Sequence, residues 1–133
     1  YIKEENDYDN VNVVMKGAKG ELITIIGSRH SAFGYDQRIE AFGSKGMLLT
    51  ENVTPSSVKL YNKDGTTNGL PYLDFFLERY AASYRNELKA FIKGIEDGKQ
   101  YNSSYDDGRA ALILADAALE SSRTGKSVSV KLN

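Results

Sequence analysis

Apolar and polar positions alternate through the first half of the chain, and this pattern predicts strands. The alternating or β-branched runs cover residues 11–17, 21–31, 35–43, 47–52 and 57–63. Short links containing glycine separate them, and Asp64–Gly65 adds an Asp-Gly hairpin signal. Because strands joined by short links pair with their sequence neighbours, the first half predicts an antiparallel meander.

The apolar spacing changes to three and four residues in the second half, which predicts helices. One helix is predicted from just after Pro71 to Gly98, and a second from an N-cap near Ser104 to a C-cap at Gly125. A last alternating run at 127–132 predicts a final strand. We therefore predict an α+β fold, a mainly antiparallel open sheet with two helices packed on one face, formed by residues 1–133 as a single domain.

Composition narrows the classes of function. The 133 residues carry a formal net charge of −1, which argues against nucleic acid as a partner. No apolar run approaches the roughly 20 residues that span a bilayer, so no membrane partner is predicted. The chain has no cysteine, which fits a cytoplasmic protein. It also begins without methionine, and from this we expect a processed, trimmed or excerpted chain.

The sequence does not contain the residue patterns that most catalytic and cofactor-binding sites need. No two of the 12 glycines are separated by a single residue, so a G-x-G-x-x-G dinucleotide loop is absent. His30 is the only histidine, and Asp106 and Asp107 are interpreted as the acidic first turn of a helix. We therefore predict no catalytic residue and no metal ligand in this chain, and we interpret His30 as a side chain at a strand end or in a loop.

Binding is the remaining possibility, and it centres on Tyr35, which follows Gly34 where a loop meets a strand. A tyrosine there can offer its hydroxyl to a polyol hydroxyl and its ring face to sugar C–H groups. Ordinary packing in the sheet is the alternative. Tyr80 and Tyr84 lie one helical turn apart, and their spacing favours core positions over ligand contacts.

Three stretches carry a resemblance to a known family: "GSRHSAFGYDQRIEAFGSKGML", "FLERYAASYRNELKAFIKGIEDG" and "DDGRAALILADAALESSRTGKSVSV". From about Val11 onward the chain resembles the C-terminal part of inositol 2-dehydrogenases, in the glucose-fructose oxidoreductase and inositol dehydrogenase family. The resemblance implies the substrate-side and oligomerisation part of a larger NAD(P)-dependent dehydrogenase. A Rossmann domain outside this chain would bind most of the NAD or NADP and supply the catalytic lysine.

The resemblance also implies roles for particular residues. Tyr35, in "GYDQR", matches a tyrosine that approaches the polyol, and Tyr80, in "ERY", matches an aromatic residue near the nicotinamide. The implied activity is oxidation of a hydroxyl of a cyclic polyol or sugar, such as myo-inositol, to the ketone. The implied partners are that small molecule and further copies of the protein, bound through the open sheet face. The alternative is a non-catalytic module for carbohydrate binding or self-association.

Overall fold

The computed structural model describes residues 2, 4–5, 7–67 and 69–132. Six strands precede three helices along the described chain. The strands are β1 Asn10–Lys16, β2 Leu22–Ser28, β3 Ile39–Gly43, β4 Gly46–Thr50, β5 Leu60–Asn62 and β6 Gly65–Thr67. The helices are α1 Phe76–Arg79, α2 Ala81–Asp97 and α3 Tyr105–Thr124. This order, with antiparallel strands first and helices second, confirms the predicted α+β class.

The strands pair with their sequence neighbours, as the short links predict. In the described residues, however, they form three separate two-stranded sheets, β1–β2, β3–β4 and β5–β6, instead of one continuous open sheet. The β3–β4 pair runs from Ile39 opposite Thr50 to Gly43 opposite Gly46, around a two-residue turn. The β5–β6 turn consists of residues 63–64, one residue earlier than the Asp-Gly signal predicts, and Gly65 already pairs with Asn62.

Both faces of the β3–β4 hairpin carry apolar side chains. Residues directly opposite each other share a face, so Phe42 and Met47 lie on one side and Ala41 and Leu48 on the other. Phe42 is 84% exposed and Leu48 is 77% exposed. No apolar side chain in the described part of the chain is fully buried. Surfaces of this kind are normally covered by other protein.

The single helix predicted from Pro71 to Gly98 is wrong in its first part. Residues 72–73 are not helical, because the Tyr72 N–H donates to the Phe33 carbonyl at 3.1 Å and the Leu73 N–H donates to the Val53 carbonyl at 3.1 Å. Helical structure begins only at Phe76, and it breaks at Tyr80 (φ −101°, ψ 5°) before α2 resumes at Ala81. Long-range pairing therefore overrides the local helical pattern over this stretch.

Helix α3 follows its local sequence signals closely. The Ser104 side chain accepts from the Asp107 N–H at 3.1 Å, and the Asp107 carboxylate accepts from the Ser104 N–H at 2.7 Å, which makes a capping box. At the other end, Gly125 adopts a left-handed conformation (φ 66°, ψ 20°) and its N–H donates to the Ser121 carbonyl at 2.8 Å. Both predicted helix ends are confirmed.

The predicted final strand at 127–132 is wrong for the described residues, in which this segment has no strand partner. It keeps the burial alternation of a strand, since Val128 and Val130 are half-buried while Ser127 and Ser129 are exposed. The pattern marks two side-chain faces, but it cannot supply the neighbouring backbone that a strand needs.

The chain divides into two compact units. The first consists of Tyr1–Asn12 and Ile25–Ser83, and the second of Val13–Thr24 and Tyr84–Asn133. The first unit contains β3 to β6 and α1, and the second contains α3 and most of α2. None of the helices in the described ranges combines the length and the hydropathy needed to cross a bilayer.

Candidate functional site

The segment 34–38, "GYDQR", is irregular backbone that leads into β3, and it contains the predicted ligand residue Tyr35. Gly34 is buried and has φ 110°, a backbone angle that residues other than glycine rarely adopt. A Cβ at this position would lie 2.6 Å from the Tyr72 carbonyl oxygen. The Tyr35 N–H donates to the Leu73 carbonyl at 2.8 Å, so the segment lies directly against residues 72–73.

The structure brings the two predicted site residues together. The rings of Tyr35 and Tyr80 pack edge to face, with centroids 5.5 Å apart and an interplanar angle of 80°. Both side chains are half-buried. Tyr80 occupies the break between α1 and α2, so the interruption of the helix coincides with this aromatic contact. Two residues that are 45 positions apart in sequence thus form one aromatic surface.

Arg79 extends the aromatic surface with a positive charge. Its guanidinium carbon lies 5.8 Å from the centroid of the Tyr80 ring, within the range of a cation–π contact. The Arg79 Nε–H is shielded from solvent and has no hydrogen-bond partner among the described residues. The surface therefore combines two aromatic rings with an unsatisfied cationic donor.

A polar cluster fixes the second half of the segment. Asp36 accepts from Arg38 through both carboxylate oxygens, each at 2.8 Å, and also accepts from the Asn52 side-chain amide. The Asn52 side-chain carbonyl in turn accepts from the Gln37 N–H at 2.7 Å. The hydrogen bonds from Arg38, followed by the one from Asn52, hold the pKa of Asp36 below its usual range. Asp36 is therefore a stable anion near neutral pH, and its cluster serves to shape the backbone.

A groove of about 950 Å³ lies beside this cluster in the first unit. Arg38, Asn52 and Tyr72 line one part of it, whereas neither Tyr35 nor Tyr80 is among its lining residues. The aromatic surface and the groove therefore both border the 34–38 segment, the surface at Tyr35 and the groove at Arg38, and neither tyrosine lines the groove. We place the candidate site at the aromatic surface, since aromatic ring faces can pack against the apolar C–H groups of a ligand.

The other residues with potential chemistry lie in ordinary structural roles. His30 is exposed and follows the end of β2, where its N–H donates to the Ser28 hydroxyl at 3.2 Å. Asp106 and Asp107 lie in the first turn of α3, where carboxylates favour the helix dipole. In the described ranges, no three His, Asp or Glu side chains are grouped to hold a metal ion.

Sequence reasoning missed Arg79 and Asn52. Arg79 follows Glu78 in an apparently regular helix, and no local signal marks the break that brings it over Tyr80. Asn52 lies in the link between β4 and β5, at the end of its predicted strand and 16 residues from Asp36, and only the folded backbone brings the two side chains together. The alternating pattern does place Asp36 and Arg38 on one face, which is the part of the cluster that the sequence could have predicted.

Comparison with known proteins identifies the family of this chain. A family model described as "Oxidoreductase family, C-terminal alpha/beta domain" matches residues 2–132. The inositol 2-dehydrogenase of Rhizobium meliloti is 43% identical over 129 residues, which are 97% of this chain and 39% of that protein. The myo-inositol 2-dehydrogenase of Thermotoga maritima is also 43% identical, over 98% of this chain and 39% of its own length.

Solved structures give the same result. A myo-inositol dehydrogenase from Corynebacterium glutamicum superposes with a TM-score of 0.91 at 51% identity, over 98% of this chain and 39% of that one. A scyllo-inositol dehydrogenase from Lactobacillus casei superposes with a TM-score of 0.81 over 94% of this chain and 36% of that one; at 22% identity this likeness concerns the fold alone. The chain spans about two-fifths of the length of the relatives it matches. It belongs to this oxidoreductase family, of which it forms the C-terminal α/β domain.

Proposed function

We propose that this chain is the substrate-side domain of a longer dehydrogenase that oxidises a hydroxyl of a cyclic polyol or sugar, such as myo-inositol, to the ketone. The observation that carries the proposal is the edge-to-face contact of Tyr35 and Tyr80 at 5.5 Å. The names of the relatives that are 43% to 51% identical support the choice of substrate class.

The proposed role of Tyr35 is to orient the polyol. Its half-buried ring offers an apolar face to the ring C–H groups, and its hydroxyl can exchange hydrogen bonds with a polyol hydroxyl. Fixing the ring in this way favours one C–H position for reaction, which is an effect of orientation. We place no catalytic base in this chain, so the hydroxyl proton passes to a group in the rest of the protein.

The residues present fit only one end of a nicotinamide cofactor. Tyr80 provides an aromatic ring against which the nicotinamide ring can pack. Among the described residues, the N-terminus of α3 offers the phosphates no backbone N–H groups at its cap, because its own Ser104–Asp107 capping box uses them. NAD or NADP, when bound, supplies the acceptor for the hydride that leaves the polyol carbon. We propose that a Rossmann domain outside this chain holds the rest of the cofactor.

The test is Tyr35→Phe in the full-length protein, which removes the hydroxyl and keeps the ring against Tyr80. We expect kcat/KM for myo-inositol to fall about tenfold, which corresponds to the loss of one hydrogen bond, while KM for the cofactor stays unchanged. Tyr61→Phe makes the same change at an exposed position on β5 and serves as the control. Unchanged polyol kinetics for Tyr35→Phe would exclude Tyr35 from the site.

We also propose that the protein forms homo-oligomers through a sheet face. The β3–β4 face that carries Phe42, Met47 and Leu49 supports this, because its three large apolar side chains are each at least 50% exposed. Phe42→Glu should shift the full-length protein to a smaller species in sedimentation velocity, whereas Lys45→Glu in the adjacent turn should not. An unaltered sedimentation coefficient for Phe42→Glu would contradict this interface.

A further inference from the structure

The backbone on the C-terminal side of Tyr35 is held by one side chain from another part of the chain. The Asn52 amide has two groups, and both are used on the 34–38 segment. Its carbonyl oxygen accepts from the Gln37 N–H at 2.7 Å, and its NH₂ group donates to the Asp36 carboxylate. Residues 36 and 37 have no strand partner in the described structure, so this amide takes the place of a β-ladder.

The backbone on the N-terminal side of Tyr35 is held through the neighbour of Asn52. The Val53 carbonyl accepts from the Leu73 N–H at 3.1 Å, and the Leu73 carbonyl accepts from the Tyr35 N–H at 2.8 Å. Residues 52 and 53 therefore constrain the segment from both directions. A displacement of this dipeptide would move the Tyr35 ring relative to Tyr80.

The chemistry of the position favours asparagine. The side chain must accept from a backbone N–H and donate to a carboxylate at the same time, which an aspartate at this position cannot do. Arg38 holds the far side of the Asp36 carboxylate with two 2.8 Å hydrogen bonds. An aspartate at 52 would place a second carboxylate against Asp36 and push the two residues apart.

We propose that Asn52 is a positioning residue for the polyol contact of Tyr35, acting through its hydrogen bonds to Gln37 and Asp36. This inference rests on the proposed function for the identity of the ligand. Asn52 contacts neither the polyol nor the cofactor in this account; it sets the place of the tyrosine that does.

The kinetic test uses Asn52→Asp in the full-length protein. We expect KM for myo-inositol to rise about tenfold, because the orienting tyrosine is displaced, while KM for the cofactor changes less than about twofold. Asn86→Asp introduces the same charge at an exposed position on α2 and should leave both constants unchanged. An equal rise in KM for myo-inositol in the two variants would overturn the inference.

A reciprocal exchange separates positioning from general damage. In the double variant Asp36→Asn with Asn52→Asp, the amide at 36 can donate to the carboxylate at 52 and still accept from Arg38, and the Gln37 N–H keeps its acceptor. We expect KM for myo-inositol to return to within about threefold of the starting value. A double variant as impaired as Asn52→Asp alone would contradict the hydrogen-bond route.

A spectroscopic readout keeps this inference separate from the proposed function. Fluorotyrosine placed at position 35 reports its surroundings by fluorine NMR, whatever the protein oxidises. The resonance should shift in Asn52→Asp and return in the exchanged double variant. An unmoved resonance would overturn the role of Asn52 even in an active enzyme. A protein that oxidises no polyol would overturn the proposed function and the polyol part of this inference, while the resonance still decides whether Asn52 positions Tyr35.

Discussion

Helix α3 and the 34–38 segment reach their conformations by opposite routes. The helix is bounded by contacts between residues three or four positions apart, such as Ser104 with Asp107 and Gly125 with Ser121. The segment has local contacts too, but its backbone is also held by partners at least 15 positions away, such as Asn52 and Leu73. The ends of the helix are thus set by residues within the helix and at its caps, whereas the conformation of the segment that presents Tyr35 depends on the rest of the first unit.

This difference matters for function. A ring that must meet a ligand from a fixed direction needs several independent constraints, and distant partners supply them. The same dependence makes the segment sensitive to substitutions elsewhere in the chain, whereas α3 should respond mainly to changes at its own ends. The expectations below test that contrast, from the largest effect to the smallest.

Gly34→Ala should have the largest effect on stability. The new Cβ would meet the Tyr72 carbonyl oxygen at 2.6 Å in a backbone with φ 110°, and we expect a loss of roughly 3 kcal/mol in the free energy of unfolding. Gly125→Ala is the matched change at the end of α3. There φ is 66° and nothing lies within 4 Å, so the loss should be about 1 kcal/mol. Equal losses by urea unfolding would remove the contrast between the two regions.

Tyr80→Leu should have an intermediate effect. The substitution keeps apolar bulk at the break between α1 and α2 but removes the edge-to-face contact with Tyr35, which is worth about 1 kcal/mol. Chemical denaturation measures the loss, and KM for the cofactor should rise in the full-length protein. Tyr84→Leu, one turn further along α2, is the control, and its KM for the cofactor should stay unchanged. If Tyr84→Leu raises that constant as much, Tyr80 has no special place in the site.

Ser104→Ala should lower the free energy of unfolding by about 1 kcal/mol, because it removes the side-chain oxygen that accepts from the Asp107 N–H. The loss is local, so the polyol KM should stay unchanged while the thermal midpoint falls. Ser103→Ala changes the neighbouring serine and should leave the midpoint in place. A change in polyol KM for Ser104→Ala would show that α3 is coupled to the 34–38 segment.

The smallest effect is a pH dependence at the start of α3. Hydrogen bonds from the Ser104 N–H, followed by its hydroxyl, hold the pKa of Asp107 below the ordinary value of 3.8. A carboxyl whose folded pKa is lowered contributes stability above its unfolded pKa and loses it as pH falls through the folded pKa. Asp107→Asn should therefore lower the thermal midpoint slightly at pH 7, and the difference should shrink below about pH 4. A difference that stays constant down to about pH 2 would contradict the assignment.

The parts of the fold that sequence predicted are those set by near neighbours. The hairpin turns and both ends of α3 follow from glycine, capping residues and alternation, and the structure has them within one or two residues. The helix expected directly after Pro71 failed, because residues 72–73 pair with backbone from residues 33, 35 and 53. Periodicity in the sequence indicates which side chains share a face, but it does not indicate which distant segment will form hydrogen bonds with the backbone.

The candidate site divides in the same way. Tyr35 is predicted from its position after Gly34 and from the family resemblance, and Tyr80 from the resemblance alone; the structure places their rings in contact. Asn52 and Arg79 carried no signal for the site, since one lies in the link after β4 and the other in a helix whose break no local residue explains. Their contribution depends on how distant segments meet.

The central claim is that the Tyr35–Tyr80 surface receives the polyol and the nicotinamide. A crystal structure of the full-length protein with NAD or NADP and myo-inositol tests it most directly. We expect the polyol to contact the Tyr35 side chain and the nicotinamide ring to lie beside Tyr80. A polyol bound away from Tyr35, with the two tyrosine rings packed only against protein, would contradict the account.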